Sequence, residues 1–252
     1  MRPRPAPVLI GAIGGSGTRV FARIARDGGF FMGSRLNPFE DSLPFIEFYD
    51  RWMRTYLAAG RRVPEDRREA IRADFVRSLE AHLVGIPDAA MPWGVKVPKS
   101  LLMIRFWHEM VPDVRVTHVL RNGLDMAYSK DGNQLNEYGD LVLPPDLRDR
   151  PRLLRAIAYW SAVNRDAADF GEAWLPGQYL RTRFEDLCAD PVRVIGQLFD
   201  FWDAPTREAL LHALGEVRRP VTIDRWRARP IDEVNRLVAV GREALVRFGY
   251  LA

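Results

Sequence analysis

The chain has 252 residues, of which 47% are hydrophobic and 28% charged, a balance typical of globular proteins. This composition excludes a disordered chain and a disulfide scaffold, and the single cysteine, Cys188, excludes an internal disulfide. The surplus of 37 basic over 33 acidic residues is too small to predict nucleic-acid binding. No apolar run is long enough for a membrane span and no signal peptide is recognised, so we expect a cytoplasmic protein without a membrane span.

Short apolar runs alternate with helical periodicity along the chain. The predicted strands are residues 8–13, 30–32, 94–97, 114–120 and 178–183. Predicted helices lie between them, beginning with residues 18–26, and residues 140–151 read as a surface loop because they are rich in proline and charge. The strands are short and unbroken, as strands buried on both faces are. The sequence therefore predicts one α/β domain with a central parallel sheet flanked by helices.

A glycine-rich turn follows the first predicted strand. It consists of Gly14, Gly15, Ser16, Gly17, Thr18 and Arg19. Backbone N–H groups in such a turn form a concave nest for anions, and the N-terminus of the next helix adds free donors. The serine, threonine and arginine supply further donors for phosphate oxygens. We therefore predict that this loop binds an anion.

Two common nucleotide-binding loops do not fit this turn. The loop of nucleoside triphosphatases places Lys and then Ser or Thr after its last glycine, whereas Gly17 is followed by Thr18 and Arg19. The dinucleotide fingerprint needs a third glycine where Val20 stands, and no acidic residue closes a second strand at the expected distance.

A second turn from strand to helix lies far along the chain. Arg121 follows the predicted strand 114–120, at the carboxyl end where open α/β sheets bind ligands. Ser129 lies two helical turns further on, so the two side chains are candidates for a second phosphate site. The alternative is that Arg121 forms an ion pair with Asp125.

Residues 180–187 and the pair Asp190-Pro191 follow these two segments. The order of these motifs resembles that in the sulfotransferases that use PAPS (3′-phosphoadenosine 5′-phosphosulfate). The resemblance to this family extends to about residue 230. The resemblance implies a three-layer P-loop-like fold, with residues 1–252 forming one sulfotransferase-like domain. It assigns the 5′-phosphosulfate to the glycine loop and the 3′-phosphate to Arg121 and Ser129. It also implies PAPS as donor and adenosine 3′,5′-bisphosphate as product.

The sequence departs from the family pattern in ways typical of a divergent, bacterial-like branch. Gly15 replaces the usual loop lysine, Arg19 replaces a threonine, and Gly123 replaces a proline. The glycine- and lysine-rich carboxy-terminal motif is absent. Arg225 and Trp226 are candidates to replace it, with the arginine near phosphate and the indole near adenine.

Sulfuryl transfer needs a cation for the leaving oxygen and a base for the acceptor proton. With the loop lysine missing, the candidate cations are Arg19 and Lys96. The alternative for Lys96 is a lysine with a buried stem and an ammonium group at the protein surface. Asp41 is the first candidate base, with Glu40 second and His108 in reserve, but Asp41 also fits a helix cap. No residues show metal-ligand spacing, and this chemistry needs no metal, so we expect none.

The acceptor is expected to be a hydroxyl group of a sugar, a small-molecule alcohol or a phenol. Residues 34–90 and 130–150 are irregular and charged, so we expect them to shape its entry. Two other functions fit the same loops: an ATP-dependent small-molecule kinase and a non-catalytic nucleotide-binding module. The sequence favours no oligomeric state.

Overall fold

The computed structural model describes residues 5–206 and 209–251, in which four parallel strands form one sheet. The strands are β1 (Val8–Ala12), β2 (Gly94–Lys96), β3 (Arg115–Leu120) and β4 (Tyr179–Arg183). Their order across the sheet is β2-β1-β3-β4, with Ile10 paired to Lys96 on one side and to Thr117 on the other. Every residue of β1 is buried, as expected for a central strand covered on both faces.

Helices connect the strands and cover both faces of the sheet. In the described ranges they are α1 (Thr18–Asp27), α2 (Leu43–Ala58), α3 (Arg68–Leu83), α4 (Ile104–Met110), α5 (Gly123–Ala127), α6 (Asn133–Val142), α7 (Pro145–Arg148), α8 (Arg152–Trp174), α9 (Phe184–Ala189), α10 (Pro191–Trp202), α11 (Leu210–Glu216) and α12 (Ile231–Arg247). Three short 3₁₀ segments, Glu65–Arg67, Pro98–Met103 and Arg225–Ala228, join them in the same ranges.

The sheet separates two hydrophobic cores. On one face, side chains of α2, α3, α4, α8 and α12 pack together, with Phe45, Phe75 and Trp107 in mutual ring contact. On the other face, α1, α9 and α10 bury Phe21, Phe199 and neighbouring side chains against β1. Two helical layers around a parallel sheet confirm the predicted three-layer α/β fold.

Two predicted segments differ from the structure. The predicted strand 30–32 makes only one parallel bridge, from Phe31 to Trp93, because Gly29 and Gly33 turn the chain at positive φ on either side. Residues 140–151 are not one loop, since they contain the end of α6 and all of α7. Pro145 starts α7, a position where the missing N–H of proline carries no cost.

Two buried histidines tie helices to the sheet. His118 of β3 contacts the Tyr179 hydroxyl through Nδ1 at 2.5 Å and the Asn164 amide oxygen through Nε2 at 2.9 Å. His82 of α3 contacts Ser42 Oγ and the carbonyl oxygen of Gly94, both at 2.9 Å. Burial lowers the pKa of each imidazole to about 4, so both are neutral at pH 7.

These histidines predict a loss of stability in mild acid. Because the folded pKa lies below the value of about 6.5 in the unfolded chain, the unfolded state binds more protons as the pH falls below 6.5. Each histidine is therefore expected to remove about 2 kcal/mol from the free energy of unfolding between pH 7 and pH 5. Urea unfolding at the two pH values measures this loss. The variant His118→Gln should lose less on acidification than the wild type, and equal losses would contradict the assignment.

Candidate active site

Four chain segments meet at the carboxyl edge of the sheet. Lys96 ends β2, the glycine loop follows β1, Arg121 follows β3 and Phe184 follows β4. Because the strands are parallel, these segments lie side by side although they are far apart in sequence. The sequence-predicted residues at these strand ends are thus brought to one edge.

The glycine loop is a tight turn that only glycine fits at two positions. Gly15 and Gly17 have φ values of 85° and 86°, in the left-handed region. A Cβ atom at Gly17 would lie 2.6 Å from the Phe184 ring, which packs beneath the loop. Ser16 and Thr18 are buried, and α1 begins at Thr18 without a side-chain cap. The Val20 N–H donates to the Gly17 carbonyl oxygen at 3.3 Å, so the N–H groups of Thr18 and Arg19 are the candidate donors for an anion.

The variant Gly17→Ala should destabilise the protein by roughly 2–5 kcal/mol, since left-handed backbone strain adds to overpacking against Phe184. The matched control is Gly196→Ala inside α10, where a Cβ atom meets nothing within 4 Å. The control should gain about 0.5–1 kcal/mol, as alanine favours a helix. Urea denaturation measures both free energies of unfolding. Similar values for the two variants would show that the loop tolerates a side chain.

Arg121 extends from the end of β3 to the glycine loop. It is 6% exposed and donates hydrogen bonds to the Gly15 carbonyl oxygen at 3.1 Å and to Thr222 Oγ1 at 2.7 Å. Its guanidinium lies 5.5 Å from the centre of the Phe184 ring, and its buried Nε has no partner in the described part of the chain. Arg121 forms no hydrogen bond or ion pair with Asp125, so the ion-pair alternative is not what the structure shows.

Ser129 approaches the glycine loop at Gly15. Its Oγ lies 3.3 Å from the position of a Cβ atom at Gly15, and it accepts a hydrogen bond from the Asp131 N–H at 3.2 Å. The Asp131 carboxylate lies in turn beside Gly14. Ser129 is therefore close to the glycine loop, as Arg121 is.

A carboxylate holds residues 222–226 over α5. Asp125 is 1% exposed and accepts hydrogen bonds from the backbone N–H groups of Asp224 at 2.8 Å and Trp226 at 3.2 Å. Arg225 donates from Nε to the Asp125 carbonyl oxygen at 2.9 Å. Burial and the nearby charge of Arg121 lower the pKa of Arg225, so two cations share this region. The buried Trp226 Nε1 has no partner among residues 5–206 and 209–251.

Lys96 is buried at the end of β2 and is not a surface-headed lysine. Its ammonium donates to the Phe39 carbonyl oxygen at 2.6 Å and to Asp41 Oδ1 at 2.5 Å, with 2% of the side chain exposed. Burial lowers the pKa of Lys96, while the Asp41 carboxylate opposes that shift. Asp41 forms this ion pair and does not cap a helix. Helix α2 begins after Ser42 without a side-chain cap.

Asn37 builds the turn that presents Asp41 to Lys96. Its Oδ1 accepts hydrogen bonds from the backbone N–H groups of Phe39 and Asp41, both at 2.9 Å. Its Nδ2 donates to Asp41 Oδ2 at 3.2 Å, and backbone bonds close the same turn. The carboxylate is therefore held through both oxygens, one by Asn37 and one by Lys96.

Glu40 and Arg19 border this pair. Glu40 has a φ of 65° and accepts from Arg23 at 2.7 Å and Arg26 at 3.0 Å. Burial raises the pKa of Glu40, but hydrogen bonds and charge from the two arginines outweigh it and hold the pKa below its usual value. Arg19 is exposed, with its guanidinium 5.2 Å from the centre of the Phe39 ring, and its charge acts on Lys96.

His108 does not join these residues. It lies near the end of α4, which leads away from the carboxyl end of β2, and its ring packs 6.0 Å from that of Phe170 on α8. Its Nδ1 is buried without a partner in the described ranges. The structure thus brings together Arg19, Glu40, Asp41 and Lys96, and leaves His108 apart.

Three arginines at the carboxyl edge of the sheet lack an ion-pair partner. Arg19, Arg121 and Arg225 form no ion pair with any described residue, although most other described arginines do. A buried cation without a carboxylate partner, such as Arg121, next to backbone N–H groups and two further arginines, favours an anionic ligand. The arrangement can therefore hold a ligand with phosphate groups beside a buried Lys96–Asp41 pair.

Several residues of this site carry no recognisable signal in the sequence. Thr222 and Phe184 act through contacts with distant segments, whereas Asn37 acts within its own turn, which only the Asn-Pro step at residues 37–38 indicates. No group of three or more His, Cys, Asp or Glu among the described residues is arranged to hold a metal ion. No helix within residues 5–206 and 209–251 has the length and apolarity to cross a membrane.

Comparisons with solved structures show the same fold. Sulfotransferase STF9 from Mycobacterium avium aligns with a TM-score of 0.58 and 15% identity, covering 97% of this chain and 77% of that chain. The sulfotransferase domain of the Synechococcus PCC 7002 olefin synthase aligns with a TM-score of 0.54 and 16% identity, covering 96% of this chain and 94% of that chain. The sulfotransferase domain from the curacin biosynthetic pathway aligns with a TM-score of 0.52 and 16% identity, covering 87% of this chain and 80% of that chain. At such identities the likeness shows the fold alone.

The sequence itself also matches a family. No curated protein matches it. The family model described as the sulfotransferase family, however, matches residues 35–208, which is 174 of the 252 residues. The matched range contains Asp41, Lys96, Arg121 and Ser129. The chain therefore belongs to the sulfotransferase family.

Proposed function

We propose that the protein is an enzyme that transfers a sulfuryl group from PAPS to a hydroxyl group of a small-molecule or carbohydrate acceptor and releases adenosine 3′,5′-bisphosphate. The observation that carries this proposal is the set of arginines without carboxylate partners around the glycine loop. Family membership supports sulfuryl transfer in general, and the arrangement of charges supports a doubly phosphorylated donor.

The residues at the edge of the sheet fit such a nucleotide. In this proposal the glycine loop, Ser16 and Thr18 bind the 5′-phosphosulfate through backbone and hydroxyl donors. Arg121 and Ser129 bind the 3′-phosphate, which is supported by the absence of a carboxylate partner for Arg121 and by the nearness of both side chains to Gly15. Arg225 adds a second positive charge nearby, and the unpartnered Trp226 indole is a candidate contact for the adenine.

The donor supplies a sulfuryl group that the acceptor oxygen attacks in line as the bridging phosphate oxygen leaves. In this proposal the buried Lys96 ammonium stabilises the charge that develops on the leaving oxygen. Asp41 takes the acceptor proton, because its carboxylate is partly exposed while Lys96 and Asn37 fix both oxygens. Arg19 is the alternative cation and Glu40 the alternative base, although Glu40 is already occupied by two arginines.

The first experiment compares nucleotides as stabilising ligands. Adenosine 3′,5′-bisphosphate at about 100 times its dissociation constant should add about 2.7 kcal/mol to the free energy of unfolding and raise the melting temperature. ATP with Mg²⁺ at the same concentration should stabilise less, because it lacks the 3′-phosphate for Arg121. Transfer of labelled sulfate from PAPS to a panel of sugars, alcohols and phenols then tests turnover.

The outcomes separate the candidate functions. A larger shift with ATP and Mg²⁺ would favour a small-molecule kinase and contradict the proposal. A shift with the bisphosphate but no transfer to any acceptor hydroxyl would favour a nucleotide-binding module without turnover.

A further inference from the structure

A second arginine-rich cavity lies away from the sheet edge, between the end of α2, the start of α3 and α4. It is half open to solvent and has a volume of about 270 Å³, far more than the roughly 10–15 Å³ that one bound water needs. Its lining residues are Tyr56, Arg61, Arg62, Val63, Arg68, Arg105, Phe106 and Glu109. Four arginines thus face one carboxylate in a space large enough for a small organic ion.

The carboxylates that contact these arginines do not balance them. Asp166 accepts two hydrogen bonds from Arg105, at 2.7 and 2.9 Å, and lies 3.2 Å from Arg61 Nε. Glu65 and Glu109 form ion pairs with Arg68, and Glu109 also forms an ion pair with Arg72. With Arg62 included, five arginines meet three carboxylates, which leaves two positive charges in surplus.

The wall of the cavity contains a buried polar group that lacks a partner. Tyr56 is 1% exposed, and in the described part of the chain its hydroxyl has no well-formed hydrogen bond, only a weak approach to the backbone of Phe106. The charges of Arg61 and Arg105 act on this hydroxyl, while burial keeps its pKa above the usual value, so it remains a donor. Arg61 Nε is also buried, but it lies 3.2 Å from an Asp166 carboxylate oxygen, so the Tyr56 hydroxyl is the buried group here that lacks an acceptor. A buried donor without an acceptor calls for a ligand that supplies one.

The backbone at the cavity is strained as well. Arg61 has a φ of 61°, a conformation costly for a residue with a side chain, directly after Gly60 at 69°. The turn is fixed by a hydrogen bond from the Arg61 N–H to the Tyr56 carbonyl oxygen at 3.0 Å. This turn at the end of α2 places the Arg61 side chain beside Tyr56 and Arg105.

We propose that this cavity is a second anion site, which binds a small tetrahedral oxyanion, phosphate or sulfate, free or as a monoester. The two surplus positive charges balance the charge of a dianion. The guanidinium groups and the Tyr56 hydroxyl can donate hydrogen bonds to its oxygens. The site shares no residue with the glycine loop or with the Lys96–Asp41 pair, so anion binding here can be tested independently of the proposed function.

The test measures thermal stabilisation and calorimetric binding with inorganic phosphate, sulfate, glycerol phosphate and succinate. We use the wild type, Tyr56→Phe, Arg62→Ala and Arg61→Gly. Tyr56→Phe removes only the unpartnered hydroxyl, so without anion it should be as stable as the wild type. Arg61→Gly relieves the positive φ while removing the guanidinium. Arg121→Ala is the control for phosphate bound at the glycine loop.

Phosphate, sulfate or glycerol phosphate should still bind and stabilise Arg121→Ala, and each cavity variant should bind the anion at this site about tenfold or more weakly. Tighter binding of glycerol phosphate than of the free ions would identify a monoester, and the reverse a free ion. The proposal is overturned if Arg121→Ala abolishes binding while the cavity variants retain it, if no anion binds, or if succinate binds as tightly as phosphate.

Discussion

Replacing Lys96 with methionine should lower kcat about 100- to 1000-fold and leave the affinity for adenosine 3′,5′-bisphosphate nearly unchanged. Loss of one preorganised group that stabilises charge in the transition state costs about 2.7–4 kcal/mol, which corresponds to that range. The effect should fall on kcat because the charge on the leaving oxygen develops only in the transition state. Methionine preserves the volume of the buried stem.

The matched control is Lys99→Met, three residues further along the chain. Lys99 contacts Asp50 and the Tyr138 hydroxyl, away from the Lys96–Asp41 pair, so its replacement should leave kcat within a few fold. The double variant of Lys96→Met with Asp41→Asn should lose about as much as the more damaging single change, since residues that act as a unit are not additive. Equal losses of kcat and of bisphosphate affinity in Lys96→Met would show that Lys96 only binds the donor.

Replacing Arg121 with alanine should weaken the binding of adenosine 3′,5′-bisphosphate about 100-fold or more. Removal of one partner from a buried, charged hydrogen-bonded pair costs about 2–5 kcal/mol. Adenosine 5′-monophosphate, which lacks the 3′-phosphate, should bind the wild type and the variant with similar affinity. Calorimetric titration of both nucleotides measures this difference.

The control variant for Arg121 lies on the same strand. Arg115 begins β3 at the opposite edge of the sheet and pairs with Asp203, so Arg115→Ala should leave both affinities unchanged. A parallel loss of affinity for the two nucleotides in Arg121→Ala would instead assign the arginine to the 5′ end of the ligand. Unchanged affinity for both would remove it from the binding site.

The elements that the sequence predicts well are those set by local patterns. The runs at residues 8–13, 114–120 and 178–183 predict their strands to within one residue, because each is a short segment between helical patterns. The first two strands are buried, whereas β4 at the edge of the sheet is half-buried. Positive φ at Gly15 and Gly17 is a requirement that the amino-acid choice itself reveals. The segment 30–32 has the same apolar character but fails as a strand, since glycines on both sides leave it only one bridge.

The sequence by itself determined the four strands of the sheet, the glycine loop, and Arg121 at the end of a strand, because hydrophobic periodicity and glycine placement act within a few residues. Only the tertiary structure decided that Asp41 pairs with Lys96 through a turn built by Asn37, that Thr222 contacts Arg121, and that His108 lies apart. Asp41 and Lys96 are 55 residues apart, and Arg121 and Thr222 are 101 apart. Such contacts depend on how packed layers bring distant strand ends together, which no local pattern specifies.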